Sequence, residues 1–191
     1  MSTAVVYCSS TGFTKKYADW LAADLRCEAV PYPDRSRLSL DDLDLLVFCS
    51  WFHAASIKGA KWLKSAMREH PALPVVVLAT GATPMPCDRW PASELEDAFR
   101  RTFPQADYPD LPHFYCQGGF DYDRLGAADK IAMRMFFAMQ EKAAKNDPRA
   151  AEMLRVMGSG FDGTRREYLE PVLACIRQMG SECSSSRKAI G

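Results

Sequence analysis

The feature that most constrains the fold is a short hydroxyl-rich segment directly behind an apolar run near the N-terminus. The apolar run is Ala4–Cys8, the hydroxyl-rich loop is Ser9–Thr14, and an amphipathic stretch continues to Leu25. This order predicts a strand, a turn and the first turn of a helix. Such a turn gathers free backbone N–H groups, hydroxyls and the positive end of a helix dipole around one point. The segment therefore predicts an anion site of the kind that holds a phosphate group.

The composition of this loop narrows the kind of phosphate. The loop has neither the lysine of a nucleotide-triphosphate loop nor the three-glycine spacing of a dinucleotide site. A plain helix cap needs one hydroxyl, whereas this loop offers several, so phosphate binding is favoured over capping. A phosphatase chemistry at Cys8 is excluded because Thr14 stands where the required arginine would be. What remains is uncharged recognition of a single phosphate, as flavin mononucleotide (FMN) requires; the candidate residues are Ser9, Ser10, Thr11, Gly12, Phe13 and Thr14.

Apolar segments alternate with amphipathic ones along the chain. The predicted strands are Thr3–Cys8, Cys27–Tyr32, Leu45–Ser50, Val75–Ala79 and His113–Gln117. The predicted helices are Thr14–Leu25, Gly59–Arg68, Ser93–Phe103 (with Ser93 as N-cap and Glu96 completing a capping box), Tyr122–Lys145 and Thr164–Met179. Strands that are apolar on both faces and alternate with helices predict an α/β fold. We expect a doubly wound five-stranded parallel sheet of order 2-1-3-4-5, with helices on both faces and ligands bound beyond the carboxyl ends of the strands.

The length and charge of the chain bound its organisation. Its 191 residues suit one core, so we expect one domain over residues 1–180 and a frayed tail over residues 181–191. Basic and acidic side chains number 24 each, which disfavours nucleic acid as a partner.

The cysteines and the N-terminus bear on the compartment. Seven cysteines without a Cys-x-x-Cys pair indicate reduced thiols. Cys8, Cys49 and Cys116 lack the spacing and histidine partners of a metal site, so we expect no metal and small buried hydrophobes instead. The sequence shows no secretory pattern and no segment apolar enough to span a bilayer, so a cytoplasmic protein is expected.

Two further loops follow predicted strands and belong to the candidate site. The first contains Ser50, Trp51, Phe52 and His53. Its aromatic pair either stacks on a flat ring, worth about 1 kcal/mol beyond area burial, or caps the core. His53 is the candidate catalytic residue, as a hydrogen-bond donor or proton-transfer group, the alternative being a solvated loop histidine. The second loop contains Thr80, Gly81 and Ala82, whose small side chains allow backbone amides to approach a ring edge closely.

The predicted helix near residue 135 is apolar almost all round. Ile131–Met139 contains three methionines and two phenylalanines, whereas surface helices normally keep a polar face. One interpretation is a helix packed between the sheet and the following segment. The other is a surface, residues 130–145, for a second copy of the chain or for the inner face of a membrane, with Lys130, Arg134, Lys142 and Lys145 supplying positive charge.

These residues resemble the flavodoxin superfamily. Ser9–Thr14 matches its phosphate-binding pattern of Ser/Thr, any residue, Thr, Gly, any residue, Thr. More narrowly, the chain is similar to the flavodoxin-domain group that includes the menaquinone-dependent protoporphyrinogen dehydrogenase. That similarity lies in Ser9–Thr14, the loop Ser50–Ala54, the run Gly118–Tyr122 before the methionine-rich helix, and Gly163–Arg166.

The resemblance implies a flavodoxin-like fold that binds FMN non-covalently. The phosphate would lie on Ser9–Thr14, and the flavin ring between Ser50–His53 and Thr80–Ala82. The implied function is an FMN-dependent oxidoreductase that acts on an organic acceptor, a quinone or a protoporphyrinogen-type couple. Two departures from the family stand out: Ala54 occupies a position where a glycine often turns its peptide toward the flavin, and the net charge is zero instead of acidic. The alternatives are an electron carrier without its own substrate, or a cofactor-free interaction module.

Overall fold

The frame of the protein is a parallel sheet with helices on both faces. The structure, a computed structural model, describes residues 1–53 and 56–188, with side chains as far as Ser181. The strands are β1 (Thr3–Tyr7), β2 (Ala29–Pro31), β3 (Leu45–His53), β4 (Ser56–Ile57), β5 (Val75–Gly81), β6 (His113–Gln117), β7 (Gly119–Phe120) and β8 (Phe161–Asp162). The helices are α1 (Phe13–Leu25), α2 (Ala60–Glu69), α3 (Ala92–Thr102), α4 (Ala127–Ala143), α5 (Pro148–Gly158) and α6 (Glu170–Lys188).

The sheet order confirms the predicted fold class. The five parallel strands follow the order β2-β1-β3-β5-β6, which is the predicted order 2-1-3-4-5 once the short β4 is set aside. β4 pairs antiparallel with the end of β3, and β7 and β8 form a separate two-stranded ribbon. The chain passes from β1 to β2 on one side and then returns to β3 on the other side of β1. The connections of β1 and β3 therefore leave in opposite directions, which opens a crevice between the carboxyl ends of these two strands.

The core consists of two layers, one on each face of the sheet. Adjacent residues of one strand point to opposite layers, as Val5 and Val6 do on β1. One layer packs under α1 and α6 through side chains such as Leu21 and Ile176. The other packs under α2 and α3 through Leu63, Phe99 and Phe103, among others. Because both faces are covered, the strands are apolar throughout, which explains why they read as continuous apolar runs in the sequence.

Several element boundaries differ from the predictions. β3 runs on to His53 and turns back as β4, so the expected loop after Ser50 is a hairpin held by the pairs Phe52–Ile57 and His53–Ser56. The predicted capping box at Ser93 is wrong: α3 begins at Ala92 after Pro91, with no side-chain cap. Glu96 instead binds Arg100 and His113, because those partners offer charge-assisted hydrogen bonds.

The C-terminal third also differs. The predicted helix Tyr122–Lys145 starts later, at Ala127, and α5 was not predicted. The last helix α6 continues to Lys188, so residues 181–188, where we expected a frayed tail, are helical. Residues 189–191 lie outside the described part of the chain. The serines of this stretch resemble a tail in sequence, but they continue a helix whose first turns are held in the core by Val172 and Ile176.

Candidate functional site

A cavity of about 440 Å³ opens at the carboxyl ends of β1, β3 and β5. Its size is within the range of small-molecule and cofactor sites. Most of the residues that the sequence analysis singled out line it: Ser10, Thr11, Phe13, Thr14, Trp51, Phe52, His53, Thr80, Gly81 and Ala82. The fold thus brings the three predicted segments to one place.

The remaining three candidates shape the cavity edge. Ser9 accepts a hydrogen bond from the backbone N–H of Gly12 at 3.1 Å. Gly12 has a φ of 98°, a left-handed conformation that L side chains rarely adopt, and it directly precedes the first residue of α1. Ser50 is fully buried and donates its hydroxyl to the carbonyl of Lys58 at 2.6 Å. These residues set the path of the backbone on which the lining side chains stand.

The first turn of α1 presents backbone donors to the cavity. α1 begins at Phe13, and Lys16 is the first residue whose N–H reaches back to Gly12, at 3.0 Å. The N–H groups of the preceding turn have no partner within the helix. No acidic side chain lies in that turn. The helix dipole therefore places an uncompensated partial positive charge here, which fits a bound phosphate.

Thr14 has a different local role from Thr11. Its hydroxyl is buried and lies 2.8 Å from the hydroxyl of Thr80, which donates to the carbonyl of Ser50 at 3.3 Å. Because the single proton of Thr80 is directed to Ser50, Thr14 donates to Thr80. This chain of hydrogen bonds ties α1 to β5 and β3 and leaves the Thr14 oxygen with spare acceptor capacity only. Thr11 is half-buried and lines the cavity.

Arg124 brings a positive charge to the first loop that sequence reasoning missed. Its Nη1 donates to the carbonyl of Thr11 at 3.1 Å and lies 3.5 Å from where a side chain on Gly12 would begin. Asp121 holds the guanidinium at 3.2 Å and accepts the backbone N–H of Arg124 at 3.3 Å. Asp121 lies within the run Gly118–Tyr122, which resembles the flavodoxin-domain group. The positions of Asp121 and Arg124 in the sequence, however, give no sign that they lie beside the loop at residues 9–14.

The end of β3 carries Trp51, Phe52 and His53, whose side chains point alternately to the two faces of the strand. Trp51 and His53 lie on the same side of the strand, with ring centroids 5.0 Å apart and nearly perpendicular planes. Phe52 points the other way, toward Tyr115 at 6.2 Å, yet also reaches the cavity. Since all three side chains are only half-buried, they remain available to a flat ligand. Ala54, the residue whose place in the family is often glycine, lies outside the described residues.

His53 makes an ion-pair-type contact across the cavity. Its Nε2 lies 3.0 Å from Oδ1 of Asp129, in the first turn of α4. The two residues are 76 positions apart, and both line the cavity. Asp129 was not predicted as a site residue, because nothing in its local sequence distinguishes it from any acidic residue at a helix N-terminus.

The wall beside Phe13 of the first loop depends on two glycines and on the ribbon of β7 and β8. Gly118 and Gly119 line the cavity beside Phe13. A Cβ on Gly119 would lie 2.6 Å from the Phe13 ring and 2.3 Å from the carbonyl of Phe161, so any larger residue would displace the ribbon strand β8 or the ring. Tyr17 fixes the same region from α1: it donates its hydroxyl to Gln117 at 2.7 Å and accepts the N–H of Arg165 at 3.1 Å.

The outer wall of the cavity comes from the segment after β6. It is mostly apolar: Phe120, Leu125, Ala132, Met133, Phe136 and Met157 line the cavity from this segment, together with the carboxylates of Asp121 and Asp129. α4 therefore has two apolar sides: one lines the cavity, and another exposes Ile131, Met135 and Met139, which are 61%, 72% and 58% accessible. The side of α4 that lines the cavity is thus covered by other parts of the chain, as one interpretation of the apolar helix predicts. The side with Ile131, Met135 and Met139 is exposed, as the other predicts.

The buried cysteines are inert thiols in this environment. Burial raises the pKa of Cys8 to about 11 and that of Cys116 to about 12, and it raises the pKa of Cys49 well above the ordinary value. A thiol that stays protonated is a poor nucleophile and a poor metal ligand. Among the residues with described side chains, no group of three or more His, Cys, Asp or Glu could hold a metal ion. Within residues 1–53 and 56–188 no helix is long and apolar enough to cross a membrane.

Comparison with known proteins identifies the family. The sequence model described as "Flavodoxin domain" matches residues 4–147, which is most of the chain. None of the curated proteins compared with the chain is significantly similar to it.

Solved structures show a more distant similarity. The Trp repressor binding protein from Bacillus subtilis is 14% identical, with a TM-score of 0.38 over 61% of this chain and 85% of its own. A flavodoxin from the domain Archaea is 15% identical, with a TM-score of 0.36 over 52% of this chain and 76% of its own.

Proposed function

The chain belongs to the flavodoxin domain family, and on this basis we propose that it is an FMN-dependent oxidoreductase that acts on an organic acceptor, a quinone or a protoporphyrinogen-type couple. The observation that carries the proposal is the composition of one cavity: unpaired helix N–H groups at one end, half-buried aromatic rings in the middle and an apolar outer wall. When bound, the flavin would supply the redox chemistry.

Each part of the cavity fits one part of FMN. The first turn of α1, Ser10, Thr11 and the Arg124 guanidinium would hold the phosphate. Trp51 and Phe52 would flank the flat ring, and the backbone at Gly81 and Ala82 would approach its edge. In this arrangement Thr14 acts on the phosphate indirectly, because its hydroxyl proton is directed to Thr80. Thr14 thereby sets the position of the loop.

The outer wall supports an acceptor that binds beside the flavin. A carrier that exchanges electrons with large protein partners needs an exposed ring edge and gains nothing from an enclosed apolar wall. Here Leu125, Met133, Phe136 and Met157 add apolar side chains to the cavity. Methionine side chains adapt to ligands of irregular shape, which suits a bulky apolar acceptor. The equal numbers of acidic and basic residues also favour a small molecule over a strongly charged redox partner.

The first experiment is the visible absorption spectrum of the purified chain, with the released cofactor identified by mass. We expect flavin bands and FMN. Thr11→Ala should weaken FMN binding while riboflavin binding, which needs no phosphate contact, stays within twofold. The matched control is Thr3→Ala, at the amino end of β1 and therefore at the opposite edge of the sheet. A protein that stays colourless after incubation with FMN would refute the cofactor assignment and favour an interaction module.

The second experiment separates an oxidoreductase from a carrier. The flavin-loaded protein is reduced anaerobically and mixed with increasing concentrations of a water-soluble quinone. Saturation of the reoxidation rate would indicate a bound acceptor, and Met133→Trp, which fills the outer wall, should raise the half-saturating concentration. A rate that rises linearly with quinone and does not respond to Met133→Trp would favour the carrier.

A further inference from the structure

We infer that Asp129 positions His53 as the proton-transfer residue of the cavity, with His53 Nδ1 as the atom that exchanges the proton with the acceptor. The inference rests on the proposed function, because it concerns the proton that accompanies electron transfer to an acceptor in this cavity. It adds to that function a second residue, Asp129, and a stated atom.

The geometry of the pair fixes which imidazole nitrogen is engaged. Nε2 of His53 lies 3.0 Å from Oδ1 of Asp129. An ionised carboxylate only accepts hydrogen bonds, so Nε2 carries the proton of this contact. The exchangeable position is then Nδ1: it holds a lone pair when the ring is neutral and a transferable proton when the ring is charged. A carboxylate that holds one imidazole nitrogen in this way fixes both the tautomer and the direction of the ring.

The surrounding elements hold both partners in place. His53 is the last residue of β3, and its backbone pairs with Ser56, which also donates its hydroxyl to the His53 carbonyl at 3.4 Å. Trp51 packs edge-on against the imidazole at 5.0 Å. Asp129 stands in the first turn of α4, where a carboxylate is stabilised by the helix dipole. The pair therefore links the edge of the sheet to the apolar outer wall across the mouth of the cavity.

The other charged groups near the pair are already engaged. Asp121, the third ionisable residue on the cavity lining, is paired with Arg124 at 3.2 Å. Lys130, next to Asp129 on α4, donates to the carbonyl of Asp123 at 3.0 Å. Among the described lining residues, His53 is the only one with an imidazole, the side chain suited to both giving and taking a proton near neutral pH.

The step balances for a quinone acceptor. A quinone becomes a quinol by gaining two electrons and two protons. When bound, the reduced flavin would supply both electrons and one of the protons, as a hydride. The second proton passes from Nδ1 of the His53 imidazolium to the oxygen on which negative charge develops, and the neutral imidazole is reprotonated from solvent. Removing a positioned acid of this kind usually slows the reaction by about 10²–10⁴-fold.

The first test observes the pair directly, by NMR of the protein labelled with ¹⁵N-histidine. The chain has three histidines, and each contacts a carboxylate: His53 with Asp129, His70 with Asp41, and His113 with Glu96. In the wild type the His53 signals should show the proton on Nε2. Asp129→Asn should change the His53 signals alone, and the matched control Asp41→Asn should change those of His70 alone. His53 signals that do not respond to Asp129→Asn would overturn the inference.

The second test uses the reduced holoprotein and two acceptors. At saturating quinone, reoxidation should slow by about 100-fold in His53→Gln and by about 10-fold in Asp129→Asn, and the double variant should be no slower than His53→Gln. Ferricyanide takes electrons without a proton, so its reduction rate should change less than twofold. Asp129→Glu should recover part of the quinone rate.

The outcomes separate the two proposals. Equal slowing with quinone and ferricyanide would mean a structural role for the pair and would overturn the inference, as would an unchanged quinone rate in His53→Gln. Both results leave FMN binding intact. A wild-type protein that binds no flavin would instead refute the proposed function, whatever the NMR signals of His53 show.

Discussion

At the residue scale, Arg124 and Thr14 have separate roles at the first loop, whereas the sequence predicts phosphate binding by the loop residues alone. Arg124 supplies a positive charge from outside the loop, and the buried hydroxyl of Thr14 braces α1 against β5. A group that neutralises charge and a group that fixes the backbone affect different measurements, namely ligand affinity and protein stability. Each can therefore be tested separately.

The role of Arg124 predicts a loss of affinity that depends on the phosphate. Arg124→Gln should weaken FMN binding by about fivefold, because an exposed charge-assisted contact contributes about 1 kcal/mol. Riboflavin binding should stay within twofold. Fluorescence titration of both ligands measures this, with Arg37→Gln as the control: Arg37 is also exposed and paired with carboxylates, but one of them, Glu28, precedes β2 at the amino edge of the sheet. Equal weakening of both ligands would contradict the assignment.

The role of Thr14 predicts a loss of stability. Thr14→Val keeps the shape of the side chain but leaves the Thr80 hydroxyl without the donor it now accepts from, at 2.8 Å in a fully buried position. The free energy of unfolding should fall by about 1–3 kcal/mol, measured by urea denaturation of the apoprotein. Thr11→Val, at a half-buried position, should change it by less than about 0.5 kcal/mol. A Thr14→Val protein as stable as the wild type would show that this hydrogen bond does not brace the loop.

At the scale of elements, α4 differs from the helices that cover the sheet. α1 buries Leu21 and Tyr17 completely, whereas α4 has no fully buried residue and packs mainly against α5. Its exposed methionines and isoleucine form a stripe at i, i+4 and i+8 beside the cavity-lining side. We propose that this stripe, together with the neighbouring lysines and arginine of residues 130–145, forms either a dimer contact or a peripheral membrane contact.

The exposed stripe predicts a contrast between two substitutions. Met135→Gln should change the unfolding free energy by less than about 0.5 kcal/mol, since the side chain is 72% accessible. Leu21→Ala, in the fully buried face of α1, should cost about 2–5 kcal/mol. If the stripe contacts a membrane, Met135→Gln should also reduce co-sedimentation with vesicles rich in anionic phospholipid at low salt. A large loss of stability in Met135→Gln would mean that the stripe is covered within the monomer.

At the scale of the whole molecule, burial in the two core layers keeps the enclosed thiols protonated. Cys8 is buried just after β1 in one layer, and Cys49 on β3 and Cys116 on β6 are buried in the other. Burial raises the pKa of each thiol, since the thiolate cannot be hydrated there. The unfolded chain has no such constraint, and its thiols ionise near pH 9.

This difference predicts alkaline destabilisation. Above pH 9 the unfolded state loses thiol protons that the folded state keeps, so stability is full below pH 9 and falls from there toward pH 11–12, where the folded thiols ionise. At pH 10 the loss is about 1 kcal/mol for each buried thiol relative to pH 8. Urea denaturation at the two pH values measures it, and Cys116→Ala should reduce the difference by about 1 kcal/mol. An equal pH dependence in Cys116→Ala would show that this thiol is not responsible.

The accuracy of sequence reasoning varied with the distance over which residues interact. The strands β1, β5 and β6 and the helix α1 were predicted to within one or two residues at each end, because periodicity and turn residues act within a few positions. The capping box at Ser93 was wrong because Pro91 already starts α3 and Glu96 finds stronger partners in space. α5 was missed: the sequence analysis makes no prediction between Lys145 and Thr164, where this helix lies.

The sequence by itself determined the sheet order, the turn between β1 and α1 and the three segments that line the cavity, since all of these follow from local patterns and from the rules of parallel sheets. Only the tertiary structure decided which distant residues complete the cavity. Arg124 reaches Thr11 across 113 positions and Asp129 reaches His53 across 76. No local pattern encodes such contacts, because they depend on how the segment after β6 folds back over the sheet, and that path is set by packing of apolar surfaces from several elements at once.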